Sequence, residues 1–402
     1  MTSAAVAWPS AGRDLEPLRA TFPARVVVDP SAIAQNFRAL DASIDAASIA
    51  VIKADAYGHG LFAVADALEG AGCSTFALAQ GEEALRLAKH LRSCGSEARI
   101  LTWITWPGEV SDLVERGIEL GVSTPEQVHA GARAAHACGV NARLHLAIDT
   151  GMSRAGAMPE DFSALCATAA AAHGVDVVGV WSHLARADDL TSDGQEATRR
   201  QIERFEQACE QARAHGLTPS VRHLAASAGG LAHARAHADA VRWGISLYGY
   251  APSAQLEAVR LIEAKRLEAL LISLKRVPAG SEVSYGGTWV APGERWLGIV
   301  PVGYANGIPR TASGRAEVAI AGRRYRQVGR ICMDQMIIDL GPASEPAPAA
   351  VGDLVEVLGG RGPDAREWAG WAETIPYEIL TSFGQRVPYR LANSSKGDDS
   401  DR

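Results

Sequence analysis

A lysine closes the apolar start of the stretch VIKADAYGHG, and a turn with a tyrosine and a histidine follows it. A lysine is costly to bury as a cation, whereas the end of a strand can desolvate its amine for chemical use. Lys53 is therefore the first candidate for a nucleophile or a base. Three further polar residues follow later apolar runs: Arg154 in IDTGMSRAG, His183 in WSHLA and Ser227 in HLAASAGG.

Arg242 and Gly244 complete this set in the run AVRWGISLYG. A desolvated lysine, a serine, a histidine and two arginines together suit pyridoxal phosphate, because lysine forms its Schiff base. The Ser227 hydroxyl and the backbone amides of Gly244 and Ile245 would hold the phosphate, since glycine lets the backbone approach an anion closely. Arg242 would face the pyridine nitrogen as a donor only, because guanidinium has no accessible proton to give. An unprotonated ring discourages transamination and fits racemisation better than decarboxylation.

The elements that must position these residues recur with a regular rhythm. Eight short apolar runs are mostly separated by segments of helical periodicity: SIAVIK, TFALA, ARILTWI, IELGVST, ARLHLAID, DVVGVWSH, SVRHLAAS and AVRWGISLYG. Eight strand–helix units over roughly 230 residues match the size of a (β/α)₈ barrel. The active site of that fold forms at the carboxyl ends of the strands, so the candidate residues are predicted to meet on one rim.

After Ser253 the pattern changes to short Val/Ile/Tyr-rich runs with Gly/Pro turns, which predicts a second, mostly β domain. The expected fold class is therefore α/β, with an N-terminal (β/α)₈ TIM-like barrel followed by a mostly β C-terminal domain. The predicted boundaries are an N-terminal extension over 1–21, the cofactor-binding barrel over 22–253, the β domain over 254–390 and a disordered tail over 391–402.

Composition restricts the expected partners and location. The chain has 402 residues and a net charge of −7 without long runs of one sign, so a small molecule is expected rather than nucleic acid or a membrane. The start lacks the pattern of a signal peptide, and no long apolar stretch follows, which predicts a cytoplasmic protein. The six cysteines form no C-x-x-C pair, so we expect no disulfide framework and no metal site.

Seven motifs carry a resemblance to a known family. VIKADAYGHG, HLAIDTGMSRAG, SHLARADD, VRWGISLYG, SYGGTW, VGYANG and GRICMDQ resemble the motif series of the alanine racemases, in order and from about residue 24 to residue 390. The resemblance implies a fold-type III pyridoxal-phosphate enzyme that forms a head-to-tail homodimer with shared active sites. It also implies that Lys53 is the Schiff-base lysine and that Tyr57 contacts the phosphate.

The same resemblance assigns roles to residues of the second domain. Tyr285 of SYGG would be the catalytic base opposite Lys53, and Tyr304 and Met333 would line the substrate entrance from the partner subunit. The backbone amide of Met333 would meet the substrate carboxylate, and Arg154 would face the cofactor's phenolic oxygen. Two bases suit racemisation, because the α-proton leaves one face of the carbon and a proton returns to the other.

Several alternatives to an alanine racemase that supplies D-alanine for peptidoglycan stay open at this point. A racemase of broader specificity, for serine among others, would carry the same motifs. A non-catalytic pyridoxal-phosphate carrier would resemble the barrel alone, so the complete β domain argues against it. A basic-amino-acid decarboxylase would use Cys332 as its acid, and Arg242 and Tyr285 fit that reaction less well.

Some positions depart from the pattern of the family. Many alanine racemases have, in place of Ala147, a carbamylated lysine whose anion holds the arginine at the position of Arg154. We therefore hypothesise a chloride ion beside Arg154; the alternatives are a carboxylate, for example Asp149, or water. Four further departures are Asp55 and Ala226 where the family commonly has asparagine, Asn306 where it has aspartate, and Gln385 in a region where many members have tyrosine.

Overall fold

The structure is a computed structural model, and it describes residues 22–392. The chain divides into two compact units. The first, Pro30–Glu263, is called the barrel unit here, and the second, made of residues 22–29 and 264–392, is called the sheet unit. The predicted extension over 1–21 and residues 393–402 of the predicted tail over 391–402 lie outside the described residues, whereas Leu391 still belongs to a strand.

The first strand, β1 (Ala24–Val28), belongs to the sheet unit although the sequence boundaries placed it in the barrel. It pairs antiparallel with Lys265–Leu270 and parallel with Tyr389–Leu391. The Ala392 N–H then donates to the Val28 carbonyl at 2.7 Å. The two ends of the described chain therefore close one sheet together, and the barrel unit starts only at Pro30.

Eight parallel strands form the barrel unit, in the spatial order β8-β7-β6-β5-β4-β3-β2-β9. They are β2 (Ala47–Val51), β3 (Thr75–Gln80), β4 (Arg99–Ile104), β5 (Glu119–Val122), β6 (Ala142–Ala147), β7 (Val175–Trp181), β8 (Val221–His223) and β9 (Ala240–Trp243). The barrel closes between β8 and β9, where the Asp239 N–H donates to the Arg222 carbonyl and the Arg242 N–H to the Ala225 carbonyl. The predicted fold class is confirmed.

Helices follow most of the barrel strands. They are Leu61–Gly70, Gly81–Ser93, Val110–Glu115, Pro125–Cys138, Pro159–Ala171, Ser192–Ala214 and Ser227–Ala232, and one further helix, Pro30–Asp41, precedes β2. Local sequence sets their ends, as in Pro125–Cys138: the Thr124 hydroxyl accepts from the Gln127 N–H, and Gly139 ends the helix with φ 70°. No helix in the described part of the chain is long and apolar enough to cross a membrane.

The sheet unit is mostly β. Its remaining strands are β10 (Lys265–Leu270), β11 (Ser273–Val277), β12 (Glu282–Val283), β13 (Trp289–Val290), β14 (Arg295–Val300), β15 (Glu317–Ile320), β16 (Arg323–Val328), β17 (Met336–Pro342), β18 (Leu354–Leu358) and β19 (Tyr389–Leu391). Nine strands form one sheet in the order β11-β14-β17-β16-β15-β18-β10-β1-β19, and β12 pairs with β13. Two helices, Ala365–Ala372 and Pro376–Ser382, precede β19.

Candidate active site

Lys53 lies two residues beyond the carboxyl end of β2, at the start of an unusual turn. The four residues that follow it, Ala54 to Tyr57, have φ between 53° and 56°, and Gly58 continues the turn with φ 71°. A left-handed conformation costs an L-residue other than glycine roughly 1–2 kcal/mol. Four such residues in sequence therefore need strong local support.

Two carboxylates supply part of this support. Glu83, on the helix Gly81–Ser93, accepts the backbone N–H groups of Ala54 at 3.1 Å and of Asp55 at 2.7 Å. Asp55 in turn accepts the Leu61 N–H at 2.9 Å, at the first residue of the next helix. Asp55 departs from the asparagine of the family, yet capping this helix needs only the side-chain oxygen that both residues have.

Cationic neighbours surround the Lys53 amine. Burial lowers the pKa of Lys53, and the charges of Arg154 and Arg242 lower it further, against the opposing effect of Glu83. Burial, together with Arg242, Arg154 and Lys53, also lowers the pKa of His183 to about 3. His183 is thus a neutral imidazole at physiological pH, and its Nδ1 lies 3.1 Å from a guanidinium nitrogen of Arg242.

Arg242, on β9, is buried, and its hydrogen-bond acceptors among residues 22–392 are all neutral. Its guanidinium donates to the backbone carbonyls of Ser182, His223 and Leu224 at 2.8 to 2.9 Å. One nitrogen also lies 3.0 Å from Nδ1 of His223. Burial and the charge of Arg154 lower the pKa of Arg242 to about 9. The guanidinium is therefore rigidly oriented and still mainly cationic at neutral pH.

A second group of predicted residues forms a cradle of small and polar groups. Gly244 follows β9, and a Cβ atom there would lie 2.7 Å from the Tyr57 hydroxyl and 4.0 Å from Ser227 Oγ. The Gly244 N–H donates to Ser227 Oγ at 3.0 Å. Ser227 and Ile245 each begin a short helical segment, where the first N–H groups lack intrahelical partners. This arrangement suits a small anion such as phosphate.

Two features fix the edges of the cradle. The Tyr57 ring stacks on that of Tyr248 with 4.7 Å between centroids, and the Tyr248 hydroxyl donates to the Val51 carbonyl at 3.1 Å. Ala226, which departs from the asparagine of the family, stands before the helix that starts at Ser227 and gives it no side-chain cap. Ser227 is thus the polar side chain at this helix terminus.

Arg154 lies in the loop after β6 and is exposed in the single chain. No ion pair to its guanidinium is present among residues 22–392. Asp149, the alternative partner, instead accepts the backbone N–H groups of Gly151 at 2.8 Å and Met152 at 2.9 Å. Burial opposes the ionisation of Asp149, but these and neighbouring backbone N–H groups lower its pKa. Asp149 therefore orders the loop backbone.

A small cavity is present where the family would have its carbamylated lysine. Ala147, Arg154, Trp181 and His183 are among the residues that line it. The indole N–H of Trp181 is buried and has no hydrogen-bond partner within the described part of the chain. The cavity is thus lined by one cation, Arg154, and by a tryptophan that has a free donor, which are residue types suited to an anion.

The sheet unit holds the remaining predicted residues on exposed loops. Tyr285 is 69% exposed in the single chain, Met333 54% and Tyr304 42%. Ser284, just before Tyr285, has φ 63° and ψ −172°, a region that is almost restricted to glycine. Its hydroxyl donates to the Arg330 carbonyl at 2.7 Å, which holds this loop against GRICMDQ.

Backbone bonds join the VGYANG loop to the same segment. The Tyr304 N–H donates to the Cys332 carbonyl at 3.0 Å, and the Ala305 N–H to the Met333 carbonyl at 2.9 Å. Asn306 accepts the Gly303 N–H at 3.1 Å through Oδ1, and its Nδ2 donates to the Gln385 carbonyl at 3.3 Å. An aspartate could not make the second bond, so the amide matches this loop.

Sequence reasoning missed the side chains that support the site rather than line it. Glu83 was read only as part of a helical segment, and His223 only as part of the run SVRHLAAS. The signal at Glu83 is faint, because Glu83 stands among other charged residues on a helix. The signal at His223 is stronger, because a histidine in a buried strand is a recognisable exception. The bonds of Glu83 to the Lys53 turn depend on non-local contacts that no spacing rule encodes.

Comparison with known proteins gives one consistent result. A family model described as "Alanine racemase, N-terminal domain" matches residues 28–252, and one described as "Alanine racemase, C-terminal domain" matches residues 264–391. The alanine racemase of Beutenbergia cavernae is 44% identical over 379 residues, which cover 92% of this chain and 97% of that protein. The alanine racemase of Streptomyces coelicolor is 40% identical and covers 93% of this chain and 97% of its own.

Solved structures agree with these sequence matches. The crystal structure of alanine racemase from D-cycloserine-producing Streptomyces lavendulae has a TM-score of 0.86 and 39% identity. It covers 92% of this chain and 97% of that one. The alanine racemase structure from Clostridium difficile 630 has a TM-score of 0.85 at 28% identity, with 93% of this chain covered and 97% of that one.

Proposed function

Because the chain belongs to the alanine racemase family, we propose that it interconverts L- and D-alanine with pyridoxal phosphate held at Lys53. The observation that carries this proposal is the group of Lys53, His183 and Arg242 at the carboxyl end of the barrel, beside the cradle around Gly244. We further propose that the enzyme is cytoplasmic and that its D-alanine is used in peptidoglycan.

The residues present fit the cofactor. When bound, pyridoxal phosphate acts as an electron sink that makes the α-proton of an amino acid removable. The phosphate would lie against Tyr57, Ser227 and the amides of Gly244 and Ile245, where a Cβ on residue 244 would already contact the Tyr57 hydroxyl. The nucleophile would be the Lys53 amine, whose lowered pKa leaves more of it in the reactive neutral form.

Three barrel residues then determine where protons are transferred and where they are withheld. The Lys53 amine takes or returns the α-proton on one face, because burial and, after it, the cationic neighbours lower its pKa and favour the neutral amine. Arg242 would donate one hydrogen bond to the ring nitrogen of the cofactor without transferring a proton. His183 stays neutral and accepts from Arg242, so no acid stands beside that ring. This environment favours return of a proton to the α-carbon, and return on the face opposite to that of removal gives racemisation.

We propose that Tyr285 is the base for the opposite face and that the active enzyme is a homodimer. Tyr285, Tyr304 and Met333 are exposed in the single chain although their loops are fixed by backbone bonds. A tyrosine hydroxyl needs a partly buried, cationic environment to act as a base. A second subunit would supply that environment, and Tyr304 and the Met333 amide would then border the substrate entrance.

We also propose a chloride ion in the cavity beside Ala147. The exposed Arg154 guanidinium and the buried, unpartnered indole N–H of Trp181 support an anion there, whereas Asp149 is occupied by backbone groups. Activity assayed in chloride-free buffer is expected to rise severalfold on titration with chloride. Activity that is independent of chloride, with no anomalous bromide density near Arg154 in a soaked crystal, would remove the ion from the site.

One assay tests the proposed function against its alternatives. Purified protein is mixed with pyridoxal phosphate and L-alanine, and D-alanine and carbon dioxide are both measured. D-alanine without carbon dioxide is the expected outcome. Carbon dioxide from lysine or arginine would instead indicate a decarboxylase, and neither product would indicate a carrier. Parallel assays with L-serine separate a racemase of broader specificity from one for alanine.

A further inference from the structure

Arg242 is one end of a buried chain of hydrogen bonds that crosses the barrel. His223 Nδ1 lies 3.0 Å from Arg242, and His223 Nε2 lies 2.9 Å from Nδ1 of His145. His145 Nε2 lies 2.8 Å from a carboxylate oxygen of Glu119. These four residues stand on β9, β8, β6 and β5, and each is at most 2% exposed.

Arg242 and Glu119, the two ends of this chain of hydrogen bonds, determine which ring nitrogen of each histidine carries the proton. Guanidinium can only donate, so Nδ1 of His223 accepts from Arg242. His223 must then carry its proton on Nε2, and it donates to Nδ1 of His145. His145 in turn carries its proton on Nε2 and donates to Glu119, because an ionised carboxylate can only accept. Both histidines are therefore neutral and in the same tautomer.

Arginines at the far end keep Glu119 an acceptor. Burial raises the pKa of the Glu119 carboxyl, but hydrogen bonds from His145 and Arg99 outweigh it and lower the pKa to about 2. Arg99 donates to both carboxylate oxygens at 2.8 and 2.9 Å, and Arg143 donates at 2.9 Å. Burial keeps His145 and His223 neutral, since it lowers the pKa of both.

The location of Glu119 makes a direct role in the reaction impossible. Glu119 is the first residue of β5, and a cavity at the amino ends of the strands is lined by Arg99, Glu119, His145 and Ala240 among others. The barrel also makes room for the chain: a Cβ on Gly179 would lie 2.0 Å from Nδ1 of His145. The chain therefore connects the amino end of the barrel with the Arg242 guanidinium near its carboxyl end.

We propose that Glu119 and His145 are positioning residues that hold His223 in the tautomer that accepts from Arg242. The role rests on the proposed function, because Arg242 matters there as a donor aimed at the cofactor ring. With His223 in the other tautomer, its Nδ1–H would oppose an N–H of Arg242, and the guanidinium would lose one of its acceptors. Glu119 thus helps to fix the orientation of the Arg242 guanidinium, which lies near the opposite end of the barrel.

The first test determines directly which ring nitrogen of His145 and of His223 carries the proton. The holoenzyme is labelled with ¹⁵N-histidine, and two-bond ¹H–¹⁵N correlations are recorded for His145 and His223, with signals assigned through His145→Gln and His223→Gln. We expect both rings to be neutral with the proton on Nε2. A proton on Nδ1 of His223, or a His145 imidazolium at neutral pH, would overturn the proposal. This measurement on the unaltered protein does not depend on racemase activity.

The second test uses Glu119→Gln with Glu268→Gln as the matched control. Glu268 is also buried and paired, with Arg25 at 2.8 Å, but it lies in the sheet unit. For Glu119→Gln we expect loss of the single tautomer at His223 and a fall in kcat of about tenfold in both directions, with KM for alanine changed less than about twofold. The control should keep both the tautomer and kcat.

Failure of the positioning role and failure of the proposed function give different results. If Glu119→Gln changes the tautomer of His223 and leaves kcat unaltered, the positioning role is wrong even though the hydrogen-bonded chain exists. If the variant lowers kcat while the tautomer of His223 stays the same, the effect is structural and the proposal is again wrong. If the unaltered protein shows the expected tautomers but no racemase activity, the proposed function fails while the ordering of His223 by Glu119 remains.

Discussion

The turn after Lys53 and the turn that holds Tyr285 both contain non-glycine residues with positive φ, but they are held in different ways. The Lys53 turn has four such residues, and the Glu83 carboxylate accepts two of its backbone N–H groups. The Tyr285 turn has one, Ser284, which is held by a hydroxyl bond to the Arg330 carbonyl. Strain of this kind persists only where the surroundings fix the backbone.

The side chains beside these turns differ even more. Lys53 is half-buried, and Arg154 and Arg242 perturb its pKa within the same unit. Tyr285 is 69% exposed, although the hydroxyl of the preceding Ser284 ties its turn to the Arg330 carbonyl. Tyr285, Tyr304 and Met333 are all exposed on loops joined to one segment by hydrogen bonds, and a group of exposed apolar side chains is typical of an interaction surface. This difference fits the proposed homodimer, in which Lys53 of one chain and Tyr285 of another would form one site.

Lys53→Ala gives the strongest test of the barrel half. Removing both the nucleophile and one base should lower kcat/KM by at least about 10⁴-fold in either direction. Borohydride treatment of the unaltered holoenzyme should fix the cofactor on the peptide that contains Lys53. Lys89→Ala, an exposed lysine on the helix Gly81–Ser93, is the control and should retain full activity. Full racemase activity in Lys53→Ala would disprove the mechanism.

Tyr285→Phe tests the part of the proposed site that the sheet unit carries. Loss of one general base should lower activity by about 10²–10⁴-fold. The α-deuterium isotope effects should become unequal for L- and D-alanine, because only one direction begins with proton removal by the lost group. Tyr325→Phe is the matched control, since Tyr325 is a buried tyrosine of β16 in the same unit. Small, equal isotope effects in both directions would show that Tyr285 is not a base.

Mixing the two inactive proteins tests whether Lys53 and Tyr285 of one site come from different chains. If each site combines Lys53 of one chain with Tyr285 of another, a hybrid of Lys53→Ala and Tyr285→Phe subunits has one intact site. Random exchange should then restore about a quarter of the activity of the unaltered dimer, because half of the dimers are hybrids. Subunit exchange is followed separately with a differently tagged chain. Exchange without recovered activity would place both residues of a site in the same chain.

The barrel and the residues on its rim were predictable because their signals are local. Buried parallel strands appear as continuous apolar runs, and a lysine, an arginine or a histidine just after such a run is conspicuous. The exchange of Ala24–Val28 into the sheet unit was not predictable in this way. Its apolar run has the composition of a barrel strand, and only pairing with β10 and β19, which are distant in sequence, decides its place.

The residues that support the site were also hard to predict, because their partners are distant in sequence. Nothing in KADAYG indicates four residues with positive φ, because only Gly58 is a glycine and the turn depends on Glu83. Glu119 in IELGVST is one carboxylate at the start of a strand, and its role appears only when His145 and His223 are placed beside it. Motifs identify groups that touch a ligand; the groups behind them depend on tertiary contacts.

The smallest effect is expected where the Lys53 turn departs from its family, at Asp55. In Asp55→Asn the amide oxygen can still accept the Leu61 N–H, and asparagine tolerates the left-handed conformation, so stability should change by less than about 0.5 kcal/mol. Asp55→Ala removes the cap and should cost about 1–2 kcal/mol, a fall in Tm of a few degrees. Thermal unfolding of both variants measures the difference. Equal destabilisation by asparagine and alanine would mean that the turn needs the charge of Asp55, because the side-chain oxygen alone would then be insufficient to hold it.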